Sequence, residues 1–162
     1  MFYIETKRLE LTPFRLEDAE EYFQIISDKD IAKYVPYSSA KTLDTTKKHL
    51  EVYEKGDFER DFYICIRSKE TGKIIGAIIG CALSYAILDI SYFIGKDYRG
   101  LGYCSEAMKA FIKYLKDNNL KRYNLLLTIE DENLASKNTA SHLNAEMFRR
   151  TYNATVFEIK LT

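Results

Sequence analysis

Arg99-Gly100-Leu101-Gly102-Tyr103-Cys104-Ser105-Glu106-Ala107 joins a strand-like run, Leu88 to Ile94, to a helix-like one, Met108 to Leu115. Two glycines at such a junction let the backbone turn sharply and come close to a second group. The first turn of the helix beyond them presents N–H donors without intrahelical partners, at the positive end of the helix dipole. Strand, glycine loop and helix N-terminus together make an anion cradle, usually for phosphate. An ordinary strand-to-helix turn uses the same residue types, so the two glycines alone do not choose between the readings.

Outward from this loop, strand and helix signals follow one another along the whole chain. Glu5 to Leu11 alternates and reads as a first strand, and Glu17 to Ser27 carries Ala19, Tyr22, Phe23 and Ile26 at helical spacing. Thr42 is placed to cap a second helix running to about Lys55, with Gly56 as its stop. Phe62 to Ile66 and Lys73 to Cys81 read as strands joined by the hairpin turn Ser68-Lys69-Glu70-Thr71-Gly72, and Ala86 to Ile94 as a third leading into the glycine loop. The helix after the loop sets Met108, Phe111, Ile112 and Leu115 on one stripe. Tyr123 to Glu130 is strand-like, Asn133 to Leu143 helix-like, and Asn144 sits where a left-handed cap is wanted. Phe148 to Leu161 closes as a hairpin turning at Asn153-Ala154. The order predicts an α/β (α+β) fold: a mixed, mostly antiparallel sheet with helices on both faces.

Composition narrows the class. The 162 residues show no repeat, low-complexity tract or linker, so one domain over residues 1–162 is expected. Apolar residues at 46% and charged residues at 30% are globular proportions. Lys+Arg and Asp+Glu both number 24, which argues against a nucleic-acid partner held by phosphate neutralisation. No apolar run approaches the roughly 20 residues of a membrane span, so no membrane partner is expected. Met1-Phe2-Tyr3-Ile4-Glu5 lacks a secretory pattern, and Cys65, Cys81 and Cys104 form no CxxC pair, which fits reduced thiols in the cytoplasm. His49 and His142 are too few and too isolated for a metal site, so no metal is expected.

Taken together, the elements resemble the GNAT superfamily of acyl-CoA-dependent N-acetyltransferases, most of all its RimJ/RimL branch of ribosomal-protein N-terminal acetyltransferases. Four segments carry the likeness. They are Glu5-Thr6-Lys7-Arg8-Leu9-Glu10-Leu11-Thr12-Pro13-Phe14-Arg15 with Glu17-Asp18-Ala19, Asp89-Ile90-Ser91-Tyr92-Phe93-Ile94, Tyr98 to Ala107, and Asp131-Glu132-Asn133-Leu134-Ala135-Ser136. The resemblance implies acetyl-CoA as cosubstrate, its pyrophosphate on backbone N–H groups of Gly100, Leu101, Gly102, Tyr103, Cys104 and Ser105, with Arg99 beside them. It also implies backbone pairing of Phe93 and Ile94 with the pantetheine arm, a second cofactor contact at Asn133 and Ser136, and an amine acceptor, small molecule or peptide N-terminus. A bulge near Ser91 or Tyr92 would splay the sheet for that arm. Three positions depart from the family pattern: Cys104 ends the loop motif, Asn144 stands for the usual glycine, and Ala140 replaces a tyrosine that protonates the leaving thiolate in many members.

Asp89 matches the position where relatives often carry a glutamate, and is the candidate base; a solvated strand-end aspartate is the other reading. Amines ionise near pH 10 and carboxylates near 4, so burial of the carboxylate or a water relay is required. Glu130 is the second carboxylate candidate. Tyr92 is a replacement acid or a core tyrosine, and Ser136 a helper of the leaving thiolate or a first-turn serine. Asn133 is a helix cap, a cofactor contact, or both. Residues from Asp28 to Lys41, with Tyr34, Tyr37 and Ser38, are expected on the acceptor side. Cys104 with His142 would instead make a ping-pong acyl enzyme. A GNAT-like module that senses acyl-CoA without turnover is the rival from another class, and a mononucleotide site is disfavoured because the loop lacks the Lys-Ser/Thr of a P-loop. A homodimer is compatible with the sequence.

Overall fold

Ile74-Ile75-Gly76-Ala77-Ile78-Ile79-Gly80 is apolar almost without interruption and buried throughout, as a strand covered on both faces must be. In the computed structural model, which describes residues 1–35 and 42–162, this run is the heart of a single eight-stranded sheet. The strands are β1 (Ile4–Glu5), β2 (Leu9–Pro13), β3 (Asp61–Ser68), β4 (Ile74–Ala82), β5 (Ile87–Ile94), β6 (Asn124–Glu130), β7 (Glu146–Arg150) and β8 (Ala154–Lys160). The helices are α1 (Ala19–Ile26), α2 (Lys29–Tyr34), α3 (Leu43–Tyr53), α4 (Tyr103–Asp117) and α5 (Leu134–His142). Spatial order is β1-β2-β3-β4-β5-β6-β8-β7, antiparallel except for the pair β5 and β6.

Strand alternation sends side chains into two cores. Leu88, Ile90, Tyr92 and Ile94 of β5 join Met108, Phe111 and Leu115 of α4, while Phe93 joins Phe14, Tyr22, Leu50 and Tyr53 beside α1 and α3. The predicted sheet with helices on both faces is therefore present. Thr42 caps α3 by accepting from Thr45 N at 3.1 Å, Asn133 caps α5 by accepting from Ser136 N at 3.2 Å, and Asn144 adopts the left-handed conformation with φ of 55°.

Three features differ from the sequence reading. The first strand is two short strands, because Thr6 Oγ1 accepts from Leu9 N at 2.9 Å and folds Thr6 to Arg8 into a turn. α2 follows α1 directly, since Asp28 Oδ1 accepts from Asp30 N at 2.8 Å and restarts a helix. The last hairpin begins at Glu146, and a register shift between Met147 and Arg149 blunts its edge strand. Among the described residues no helix is long and apolar enough to cross a membrane.

The central strands tolerate no added atoms at their closest approach. A Cβ on Gly76 would lie 2.2 Å from the Phe93 carbonyl oxygen, whereas one on Gly95 meets nothing nearer than 3.5 Å. Gly76→Ala is expected to destabilise the protein by about 2 kcal/mol or more and Gly95→Ala by less than about 1 kcal/mol, compared by denaturant unfolding.

Candidate active site

Gly100 and Gly102 both take positive φ, +74° and +79°, a conformation that strains any residue with a Cβ. Gly102 is the N-cap of α4 and brings no side chain to its first turn, whereas α2, α3 and α5 are each capped by a side-chain oxygen. As a result the main-chain N–H groups from Gly100 to Ser105 meet no acceptor among the described residues. A run of amides without acceptors at the start of a 15-residue helix has the chemistry to hold an anion.

The loop is held from outside by the N-terminal turn. Glu106, in the first turn of α4, accepts from Thr6 Oγ1 at 2.6 Å, from Arg8 N at 3.0 Å and from Arg8 Nε at 2.6 Å. Arg8 Nη1 also donates to the Leu101 carbonyl at 2.9 Å, and its guanidinium lies 4.2 Å from the centre of the Tyr103 ring. Burial alone would raise the Glu106 pKa; the hydrogen bonds from Thr6 and Arg8 outweigh it and hold the carboxyl below its ordinary value. Sequence reasoning missed this clamp, although a carboxylate beside a presumed phosphate site called for a neutralising cation.

From the loop the site continues along β5. This strand pairs with β6 only through Ile87–Asn124, Leu88–Leu125 and Asp89–Leu126, after which the two part. The cleft between them is lined by Ile90, Ser91 and Tyr92, by Leu127 to Glu130, and by Tyr34, Val35, Asn133 and Ser136. Tyr37 and Ser38 lie outside the described residues. No bulge opens the cleft: the ladder of β5 against β4 is unbroken from Leu88 to Ile94, so the splay comes from β6 turning away.

Ladder alternation decides which backbone groups face the cleft. Gly95 N donates to Ile75 O on the β4 side, and Ala86 O accepts from Asn124 N on the β6 side. Even-numbered residues of β5 therefore turn N–H and C=O toward β6, and odd-numbered ones toward β4. Tyr92 and the Ile94 N–H present the open edge, while the Ile94 carbonyl accepts from Arg99 Nε. Phe93, opposite Ala77, spends its backbone on β4, which corrects the expectation that it pairs with a ligand.

The candidate side chains divide by face. Asp89 is half-buried with no hydrogen-bond or ion-pair partner among the described residues, and desolvation raises its pKa. Tyr92 lies on the opposite face, where its hydroxyl donates to the Ser136 carbonyl at 3.0 Å; burial, then the neighbouring Cys104, push its pKa up. Asn133 and Ser136 meet there as helix cap and capped amide, and Glu130 closes the cleft at the end of β6. Arg99 does not face the loop's amides: its guanidinium is bonded to Ile94 O, Asp28 and Asp30. Burial pushes the Cys104 thiol up to about 12, partly offset by a hydrogen bond with Thr139, and His142 lies exposed at the end of α5. That is the reverse of an activated nucleophile, which weighs against the ping-pong reading.

The family model described as Acetyltransferase (GNAT) domain matches residues 8–146. Over 140 residues the chain is 28% identical to the uncharacterized N-acetyltransferase YnaD of Bacillus subtilis, covering 83% of this chain and 76% of that one. A GNAT-family acetyltransferase from Bacillus anthracis superposes with a TM-score of 0.86 at 19% identity, over 99% of both chains. RimL, a ribosomal L7/L12 alpha-N-protein acetyltransferase solved with coenzyme A, gives 0.84 at 13% identity over 98% of both.

Glu106→Gln tests the clamp. Its loss is expected to cost roughly 1–2 kcal/mol of stability near neutral pH. Because the folded-state pKa of Glu106 is depressed, the wild-type advantage is full above about pH 4.5 and fades as pH falls through the lower folded value. Thermal unfolding of both proteins from pH 7 to pH 3 measures it.

Proposed function

The chain belongs to the GNAT family of acetyl-CoA-dependent acetyltransferases, and from that premise we propose that it moves an acetyl group to a primary amine by direct attack within a ternary complex. The observation that carries this reading is the continuity of two stretches of backbone without a strand or cap partner: the amides of Gly100 to Ser105 and the open β5 edge at Tyr92 and the Ile94 N–H, the Ile94 carbonyl being taken by Arg99. Together they offer a site for a diphosphate and, next to it, a strand edge for an amide-bearing arm, the two chemistries that coenzyme A combines. Asn133 and Ser136 line the same cleft. RimL in its coenzyme A complex has the same fold, which supports the assignment.

When bound, acetyl-CoA supplies the activated acyl group; the residues of this chain align the amine, accept its proton and stabilise the oxyanion. Asp89 stands at the last paired position before the cleft opens. Its raised pKa makes it a better proton acceptor than an exposed aspartate, and a bridging water suits its short side chain. The N–H groups on the cleft edge of β5 are the candidates for oxyanion donors. Tyr92 is already committed to the Ser136 carbonyl and its raised pKa makes it a reluctant acid, so solvent would have to supply the proton for a departing thiolate. The acceptor class is a small-molecule amine or a peptide N-terminus.

Ala140, fully buried where many relatives carry an acid, keeps a non-catalytic acyl-CoA sensor as the second reading. Release of free thiol from acetyl-CoA across a panel of amines separates the two: amine-dependent release is expected, and tight binding without it leaves the sensor. Gly102→Val, which forces a β-branched residue to φ near +79°, should weaken coenzyme A by about tenfold or more by calorimetry. Unchanged affinity would remove the loop from the diphosphate role. Asp89→Asn should lower kcat by about 100-fold and abolish the acid limb of the pH–rate profile, with the deficit narrowing as pH rises and free amine accumulates. Cofactor affinity should stay the same.

A further inference from the structure

Arg99 opens the glycine motif and would be assigned to the diphosphate by position alone. Its side chain is engaged elsewhere. Nε donates to the Ile94 carbonyl at 3.0 Å, Nη1 to Asp30 Oδ2 at 3.1 Å and Nη2 to Asp28 Oδ2 at 3.3 Å. One guanidinium thereby ties the end of the open β5 edge to the first turn of α2. Two carboxylates already surround this single cation, so a phosphate arriving there would find net repulsion until it displaced them.

The other end of this tie matters for the acceptor side. α2 has six residues, too few to persist as a helix in water without outside support. Three things place it: Ile31 and Val35 in the core shared with α1 and α3, Arg99 at its N-terminus, and Lys33 paired with Glu132 at 2.7 Å near its C-terminus. The Lys33 pair is largely exposed and contributes little. Asp28 is the enclosed one, its side chain 14% exposed, and it bonds Arg99 through one oxygen and caps α2 through the other. Tyr34 and Val35, at the far end of α2, form a wall of the cleft beside β5.

We propose that Arg99 is a positioning residue: it fixes the α2 wall of the acceptor side to the β5 edge that takes the cofactor, and leaves anion binding to the amides of residues 100–105. The role suits arginine, whose planar fork bonds in three directions at once, where a lysine reaches one partner at a time. It rests on the acetyl-CoA reading above and adds to it a physical link between the two substrates.

The test uses the whole protein with Arg99→Ala, Arg99→Lys and Asp28→Asn, the last keeping both the arginine and a good helix cap. Three quantities are read: coenzyme A affinity by calorimetry, hydrogen exchange of the amides of residues 29–35, and KM for acetyl-CoA and for the best amine from the thiol-release panel. Arg99→Ala is expected to bind coenzyme A within about threefold of wild type, to exchange α2 amides about tenfold faster, and to raise the amine KM about tenfold. The KM for acetyl-CoA should hold. Asp28→Asn should reproduce the exchange and amine effects, and Arg99→Lys should recover part of them. A tenfold loss of coenzyme A affinity confined to the Arg99 variants would make Arg99 an anion ligand and overturn the proposal. Normal coenzyme A binding with unchanged α2 exchange would overturn it alone, whereas a wild type that fails to bind coenzyme A overturns the parent reading with it.

Discussion

Everything at the candidate site depends on β5 keeping its partner on one side and losing it on the other. Against β4 its ladder is continuous, and close approach at Gly76 locks the two strands together. Against β6 it holds for three residue pairs and then stops. Backbone donors and acceptors left unpaired inside a protein are expensive, so a strand edge that ends this way invites a ligand that can finish the ladder. The same logic governs the loop that follows, where a glycine cap leaves the amides of a long helix without a side-chain oxygen. The site is thus built from absences of pairing that the surrounding fold keeps in register.

Charge is arranged to protect those absences. A carboxylate in the first turn of α4 favours the helix dipole but competes with any incoming anion. Arg8 meets Glu106 through two hydrogen bonds and reaches on to Leu101 O, so the clamp both neutralises the carboxylate and fixes the loop. Arg99 is spent in a similar way on Asp28 and Asp30. In the proposed diphosphate site the binding groups are backbone amides, whose geometry is set by two left-handed glycines rather than by flexible cations.

The two faces of the sheet also separate the chemistry. Phe93, Asp89 and the aromatic residues of α1 and α3 lie on one side; Tyr92, Cys104 and the cap of α5 lie on the other. Among the described residues Asp89 has neither an ion-pair partner nor a side-chain hydrogen bond to hold it charged, and desolvation raises its pKa. Cys104 keeps one hydrogen bond, with Thr139, that favours its thiolate, but burial outweighs it and pushes the thiol up. Both environments disfavour the charged form of the group they hold.

Much of this was legible in the residues. The β4 run, the α4 stripe, the caps Thr42 and Asn133 and the left-handed Asn144 follow from local periodicity and local hydrogen bonding, which act over a few residues and so are written in short stretches of chain. Gly100 and Gly102 declared the loop for the same reason, since only glycine takes those φ values freely. The parting of β5 from β6, the turn of Phe93's backbone toward β4, the Thr6–Arg8–Glu106 clamp and the Arg99–Asp28 tie were not legible. Each depends on how separate elements pair, and the ionic ones join residues about 70 to 100 positions apart. Sequence by itself determined the elements, their order and the residue types available for chemistry. Tertiary packing alone decided which backbone groups stay open, which charges are already taken and which carboxylates are desolvated, because those depend on distances across the sheet that no local pattern encodes.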